Sequence, residues 1–334
     1  MNWAKWRKAA PYIALLVVLI LIPILVKNLY YLGVITFMLI NVLLAVSLWF
    51  ILMTGQVTLG HAGFAAIGGY MSAALITSYG QSSWLSLLMA IATAGIVAAI
   101  IGYITLRIKG VYFIIVTLAL GEVIRIVFGM WEYPFGGLVG IMNLPPPDPI
   151  AIPGLPAIEF VSKSSLYYLI LIFVLLGVAI MHRLGRSPIG RVFRGISQAD
   201  NLAEHVGINI MAYKVQAFVI GSMFAGLAGV LYTYLTQSIM PTSFTLIQST
   251  YYLVYVAVGG GANIAGPILG ATVLGVLSEV LRPIKEFEPI IYALLLIGAI
   301  LLFKGGLLGL VQRLGHKFVR LTNRNSFTTT KKPV

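Results

Sequence analysis

The stretch GQVTLGHAGFAAIGGY, Gly55–Tyr70, holds five glycines in sixteen residues, together with Gln56, Thr58 and His61. It lies between two apolar runs, Val42–Met53 and Met71–Thr77. A glycine costs about 1 kcal/mol against alanine inside a helix, so a chain that only had to fill a bilayer gains nothing from five here. The stretch reads as a close helix approach or a break in an apolar helix. Non-helical backbone at membrane depth is tolerated only where protein buries it or where it lines a cavity. A second such place is AVGGGANIAGPILGATVLG, Ala257–Gly275, with three consecutive glycines and then Asn263, Gly266 and Pro267. Gly/Pro-interrupted apolar segments in both halves of a chain point to an internal repeat and to discontinuous helices beside a pathway.

The composition places the chain in a membrane. Hydrophobic residues make up 60% of the 334 and charged residues 9%, against roughly 25% charged in soluble domains. The 17 tyrosines and five tryptophans suit interfacial belts. With no cysteine there is no disulfide framework, thiolate metal site or cysteine nucleophile. The first residues, MNWAKWRKAAPYIALLVVLILIPILVKN, lack an A-x-A-like cleavage site and read as a retained first span. A span needs about 20 mainly apolar residues. That rule predicts spans near 10–26, 30–53, 59–79, 84–106, 111–131, 165–182, 214–236, 245–261, 265–281 and 288–303. The expected fold is an all-α polytopic membrane protein, one transmembrane domain over 1–334. It has about ten (8–10) helices in two pseudo-repeated halves with broken Gly-rich helices.

The net charge of +13 is a topology signal. With ten spans and the N-terminus inside, seventeen of the 22 Lys and Arg fall in inside segments, seven of them from Lys304 to Lys332. Only Lys27, Lys163, Arg282 and Lys285 fall outside. This fits the positive-inside rule and argues against nucleic acid as a partner. Both termini are then cytoplasmic, with a basic tail over 304–334. An extracytoplasmic loop over 131–164 carries seven prolines and reads as a stiff lid or docking segment. A cytoplasmic loop over 183–213 places Ile196, Ala199, Ala203 and Val206 at helical spacing, which predicts one short amphipathic helix stopped by Gly207. Such a helix suits a membrane-lipid surface or a partner's groove.

Three rows of small residues, Gly221–Ala225–Gly229, Ala65–Gly69–Ala73 and Gly266–Gly270, mark close helix crossings. Glu122 and Arg125 stand near the middle of the span over 111–131, roughly 16 Å in at 1.5 Å per residue. A lone charge there costs about 3 kcal/mol or more. At i and i+3 the two share a face and can neutralise each other, as a structural ion pair or as a polar wall of the pathway. Glu279 and Arg282 repeat the spacing at a span end. The chain has no G-x-x-x-x-G-K-[ST], G-x-S-x-G or H-E-x-x-H stretch, and its four histidines lack metal-ligand spacing. No enzyme activity, metal or cofactor is expected. A self-sufficient secondary transporter needs coupling carboxylates at depth, and only Glu122 qualifies.

Four collinear stretches carry a family resemblance. GQVTLGHAGFAAIGGYMSAAL, LRIKGVYFIIVTLALGEVIRIV, GRVFRGISQADNLAEHVGINIMAYKVQAFVIGSMFAGLAGVLY and SFTLIQSTYYLVYVAVGGGANIAGPILGA resemble signatures of branched-chain amino-acid ABC transporter permeases, the LivM type. The likeness covers roughly residues 30–310 and is less specific for substrate, because related permeases carry urea or short amides. It implies a plasma-membrane permease that pairs with a second permease subunit, two cytoplasmic ATP-binding subunits and an extracytoplasmic binding protein. It also implies that Asp200, Ala203, Glu204, His205 and Gly207 form the ATPase-coupling segment. Gly60, His61, Gly63, Glu122, Arg125, Gly260 and Asn263 are the expected pathway residues.

Overall fold

A computed structural model describes residues 14, 16–151, 157–302 and 306–309. Among these the chain is helical, with no strand beyond two isolated antiparallel bridges, Ile141 to Ile239 and Ile150 to Ile158. The start of the expected first span, the tip of the proline-rich loop and nearly all of the expected basic tail lie outside the described residues. The helices are α1 (Leu16–Leu25), α2 (Leu29–Leu52), α3 (His61–Thr77), α4 (Ser83–Thr105), α5 (Val111–Met130) and α6 (Lys163–Arg186). Then come α7 (Pro188–Gln198), α8 (Asp200–His205), α9 (Ile210–Thr236), α10 (Leu246–Gly259), α11 (Ala265–Val280) and α12 (Glu288–Leu302). Five of them, α2, α4, α5, α6 and α9, are long and apolar enough to cross a membrane.

The core forms around α2. Every residue from Leu39 to Ile51 is buried, so this helix is apolar all round because it has neighbours on all sides. It packs against α9, α6, α11 and α10. α3 lies against α9 and α4 at distances only small residues allow. A methyl on Gly68 would overlap the Gly226 carbonyl, and one on Gly229 the Ala65 carbonyl. The predicted small-residue rows are found at such crossings. The Gly221–Ala225–Gly229 row is shared between two partners: Gly221 meets Ser47 and Ile51 of α2, and Gly229 meets α3. Gly266 and Gly270 bring α11 onto the backbone of α10 at Gly260 and Tyr255.

α5 is peripheral, with only Phe113, Thr117 and Phe128 buried. The described part of the proline-rich loop is pinned to the ends of α4 and α9. Asp148 Oδ2 accepts from Ser83 N at 2.7 Å, Ser83 Oγ accepts from Asp148 N at 3.2 Å, and Tyr234 Oη donates to Ser83 O at 2.7 Å.

The Gly68–Gly226 crossing is backbone against backbone, and backbone cannot swing aside. Gly68→Val should cost about 3 kcal/mol or more and lower the melting temperature in detergent, read by circular dichroism. Gly195→Ala on α7, where the space is open and the φ is not in the positive range, should be neutral or stabilise by up to about 1 kcal/mol.

Candidate functional site

Five helix starts are capped from their own sequence: Asn28, Ser82, Ser162, Ser187 and Asn209 cap α2, α4, α6, α7 and α9. α3 and α10 are among those that are not. Their N-caps, Gly60 and Thr245, make no side-chain capping bond. Their first N–H groups are met from other helices instead. Ser249 Oγ of α10 accepts from Ala62 N at 3.0 Å, and Glu122 Oε1 of α5 accepts from Leu246 N at 3.1 Å. The two helix starts therefore share one junction, closed on its third side by α5. A methyl on Gly60 would stand 2.5 Å from Thr117 O, one on Gly63 3.2 Å from Gly121 Cα, and one on Gly121 3.1 Å from Gly60 Cα.

Glu122 serves this junction twice. Oε2 takes Arg125 Nε at 2.7 Å, and each side chain is 29% exposed. The ion pair read from the i, i+3 spacing forms, and its carboxylate also caps α10, where the helix dipole favours negative charge. His61 is fully buried, with Nε2 2.8 Å from Ser47 Oγ. The Ser47 hydroxyl donates to Leu44 O at 2.9 Å, so the imidazole must donate from Nε2. Nδ1 then has no partner among the described residues.

The structure thus brings Gly60, His61, Gly63, Glu122 and Arg125 together. Gly260 and Asn263 belong to a second cluster at the other end of α10. There Gly260 turns the chain at a φ of 104°, and Gly261 O accepts from Trp49 Nε1 at 2.7 Å.

A large cavity reaches Thr245 at the start of α10, and none of the seven expected pathway residues lines it. It measures about 720 Å³, opens beside Tyr30, Lys163 and Glu279, and runs down α2 to Asn41. A second cavity of about 170 Å³ shares Phe37, Asn41 and Gln248 with it and continues inward between α2, α3, α9 and α10. Sequence reasoning missed Asn41 and Gln248. The signal for Asn41 was available, since it is the one carboxamide in an otherwise largely apolar α2, and polar groups inside a span mark function by default.

On the face expected to be cytoplasmic, the single helix predicted through Ile196 and Val206 is two helices. Ala199 is extended (φ −158°, ψ 90°) and separates α7 from α8. In an unbroken helix Asp200, four residues after Ile196, would share that residue's buried face. The break sets its carboxylate at the start of α8, where Lys214 Nζ reaches Oδ2 at 2.8 Å and Lys109 Nζ lies 3.7 Å away. Gly207, at a φ of 81°, ends α8 as expected. Ala203 is buried; Glu204, His205 and Gly207 are exposed, with Leu202 68% and Val206 75% exposed beside them. At the end of α7, Ser197 rests on Gly55, whose φ is 79°; a methyl on Gly55 would stand 3.3 Å from Ser197 Cα. The turn through Gly55 leads directly into Gly60 and the start of α3.

Residues 30–304 match the family model described as Branched-chain amino acid transport system / permease component. The chain is 30% identical over 273 residues to the high-affinity branched-chain amino acid transport system permease protein LivM of Salmonella typhimurium, covering 75% of this chain and 61% of that protein. It is 30% identical over 266 residues to LivM of Escherichia coli, with the same coverage of 75% and 61%. It is 25% identical over 245 residues to the probable branched-chain amino acid transport permease protein LivH of Methanocaldococcus jannaschii, covering 70% of this chain and 75% of that protein. The chain spans about three fifths of the length of the two bacterial relatives. No solved structure matches.

If Glu122 caps α10 as well as pairing with Arg125, its two losses are separable. Glu122→Ala strips both partners and should cost about 1–3 kcal/mol. Glu122→Gln keeps an oxygen for Leu246 N and should cost measurably less. Thermal unfolding in detergent ranks the two.

Proposed function

The chain belongs to the branched-chain amino acid transport permease family, and from that membership we propose that it is the membrane-spanning permease subunit of an ATP-binding-cassette importer. Its cargo on this reading is leucine, isoleucine and valine. The observation that carries the proposal is the family match, which runs from α2 to α12. The curated relatives are named as permease proteins of branched-chain amino acid transport. The complete assembly is a bacterial plasma-membrane complex with a second permease subunit, two cytoplasmic ATP-binding subunits and an extracytoplasmic binding protein. ATP is hydrolysed by the partners, and the permease alternates between outward and inward access.

The proposed topology has ten passes, α1–α6 and α9–α12, with both termini cytoplasmic. It is supported by which segments touch. Segments assigned to the inside meet one another: Gly55 meets Ser197, and Trp49 meets Gly261. Segments assigned to the outside do the same: Asp148 meets Ser83, and Ile141 pairs with Ile239. Two pseudo-repeated halves are supported by matched packing. α9 packs on α3 and α4 as α2 packs on α10 and α11, and α3 packs on α5 as α10 packs on α12. The ATPase dock is α8, through its exposed Glu204, His205 and flanking Leu202 and Val206. Movement of α8 passes along α7 to Ser197, then through Gly55 to the start of α3, where the junction with Glu122 and Ser249 shifts.

The test is uptake of radiolabelled leucine and, separately, urea in proteoliposomes holding the permease with its partner permease, ATPases and binding protein. ATP-dependent leucine uptake is expected, and Glu204→Ala with Gly207→Ala should cut it at least about tenfold. Uptake that survives without ATPase subunits would sink the proposal, and urea in place of leucine would reassign the cargo. In the same vesicles Gly55→Val should leave ATP hydrolysis running while leucine uptake falls, because the Ser197 contact is disrupted.

A further inference from the structure

The two cavities meet at Asn41 and Gln248, which line both. Asn41 is 5% exposed. Neither side-chain amide counts among the buried polar atoms left without a partner among the described residues, and both line the cavity wall. A mostly apolar cavity with a few convergent polar groups is the usual form of a ligand site, so this pair is placed to meet something that enters the cavity.

The chemistry of the surroundings says what. A carboxamide offers both donors and an acceptor and carries no charge. Two of them at one mouth hold an ammonium and a carboxylate together without favouring either. Beyond them the inner chamber is mostly apolar, walled by Ile40, Leu44, Phe244 and Tyr252 with Phe37 at its mouth. Its volume is about 170 Å³, and an apolar cavity of about 150 Å³ accepts a benzene-sized group. A branched four-carbon side chain fits that space. Urea has no apolar part to fill it.

We propose that Asn41 and Gln248 hold the head group of a zwitterionic amino acid in transit while the inner chamber takes its branched aliphatic side chain. This rests on the importer reading above and gives the permease a selectivity step of its own. Neutral ligands suit such a station, since a transported solute must bind well enough to enter and weakly enough to leave.

The experiment uses the complete transporter in proteoliposomes, with radiolabelled leucine and alanine. Asn41→Leu and Gln248→Leu should each lower leucine uptake below saturation about tenfold or more. Phe37→Ala widens the mouth of the chamber and should reduce the preference for leucine over alanine several-fold. If Asn41→Leu fails to assemble, Gln248→Leu and Phe37→Ala carry the test. Wild-type uptake with both amide variants transporting normally, or with the leucine preference intact in Phe37→Ala, overturns the site alone. A wild-type complex that takes up no amino acid overturns the importer reading before any variant is measured.

Discussion

A helix that starts away from water must find partners for its first N–H groups, and two helices of this protein do so through each other's neighbours. Ser249 of α10 serves α3, and Glu122 of α5 serves α10. These two bonds tie together three helices that small-residue packing alone would not orient. They account for the charge in the middle of α5: an acceptor strong enough to cap a distant helix has to be brought there, and Arg125 pairs with it at 2.7 Å. They also account for the position of α5, a helix with little buried surface, which is fastened to the bundle at the Gly60–Gly121 contact and by this carboxylate.

The glycines between Gly55 and Gly69 answer to different demands. Gly55 supplies a positive φ beside α7. Gly60 and Gly63 let α3 begin within contact distance of α5. Gly68 and Gly69 let it continue against the backbone of α9. One glycine-rich segment therefore joins the exposed end of α7, the junction inside the bundle and a backbone-to-backbone helix crossing.

Much of this was legible in the sequence because it is local. Apolar length gives the helices, four-residue spacing gives the crossings, and the i, i+3 spacing gives the Glu122–Arg125 pair. What was not legible depends on contacts between distant segments. Nothing near Ala62 announces that Ser249 will meet it. The expected pathway residues fell into two groups because Gly260 and Asn263 sit one α10 length away from Glu122's bond to Leu246. The break at Ala199 was hidden because Ile196, Ala203 and Val206 keep helical spacing across it, and the reason for it, the Lys214 ammonium, lies on α9. Asn41 was visible as an isolated amide, but its importance came from Gln248, which reaches the same cavity wall from another helix.

The seat of Ser197 on Gly55 limits how this protein can change over generations. Position 55 needs both a positive φ and the absence of a side chain, so it tolerates only glycine, and position 197 must stay small to keep its seat. Leu202, Glu204, His205 and Val206 carry no such restriction, being exposed on or just after a helix only six residues long. Substitution is therefore easy on the exposed face of α8, while the end of α7 is held fixed by a residue in a remote turn. The surface is free to diverge, and the contact behind it is not.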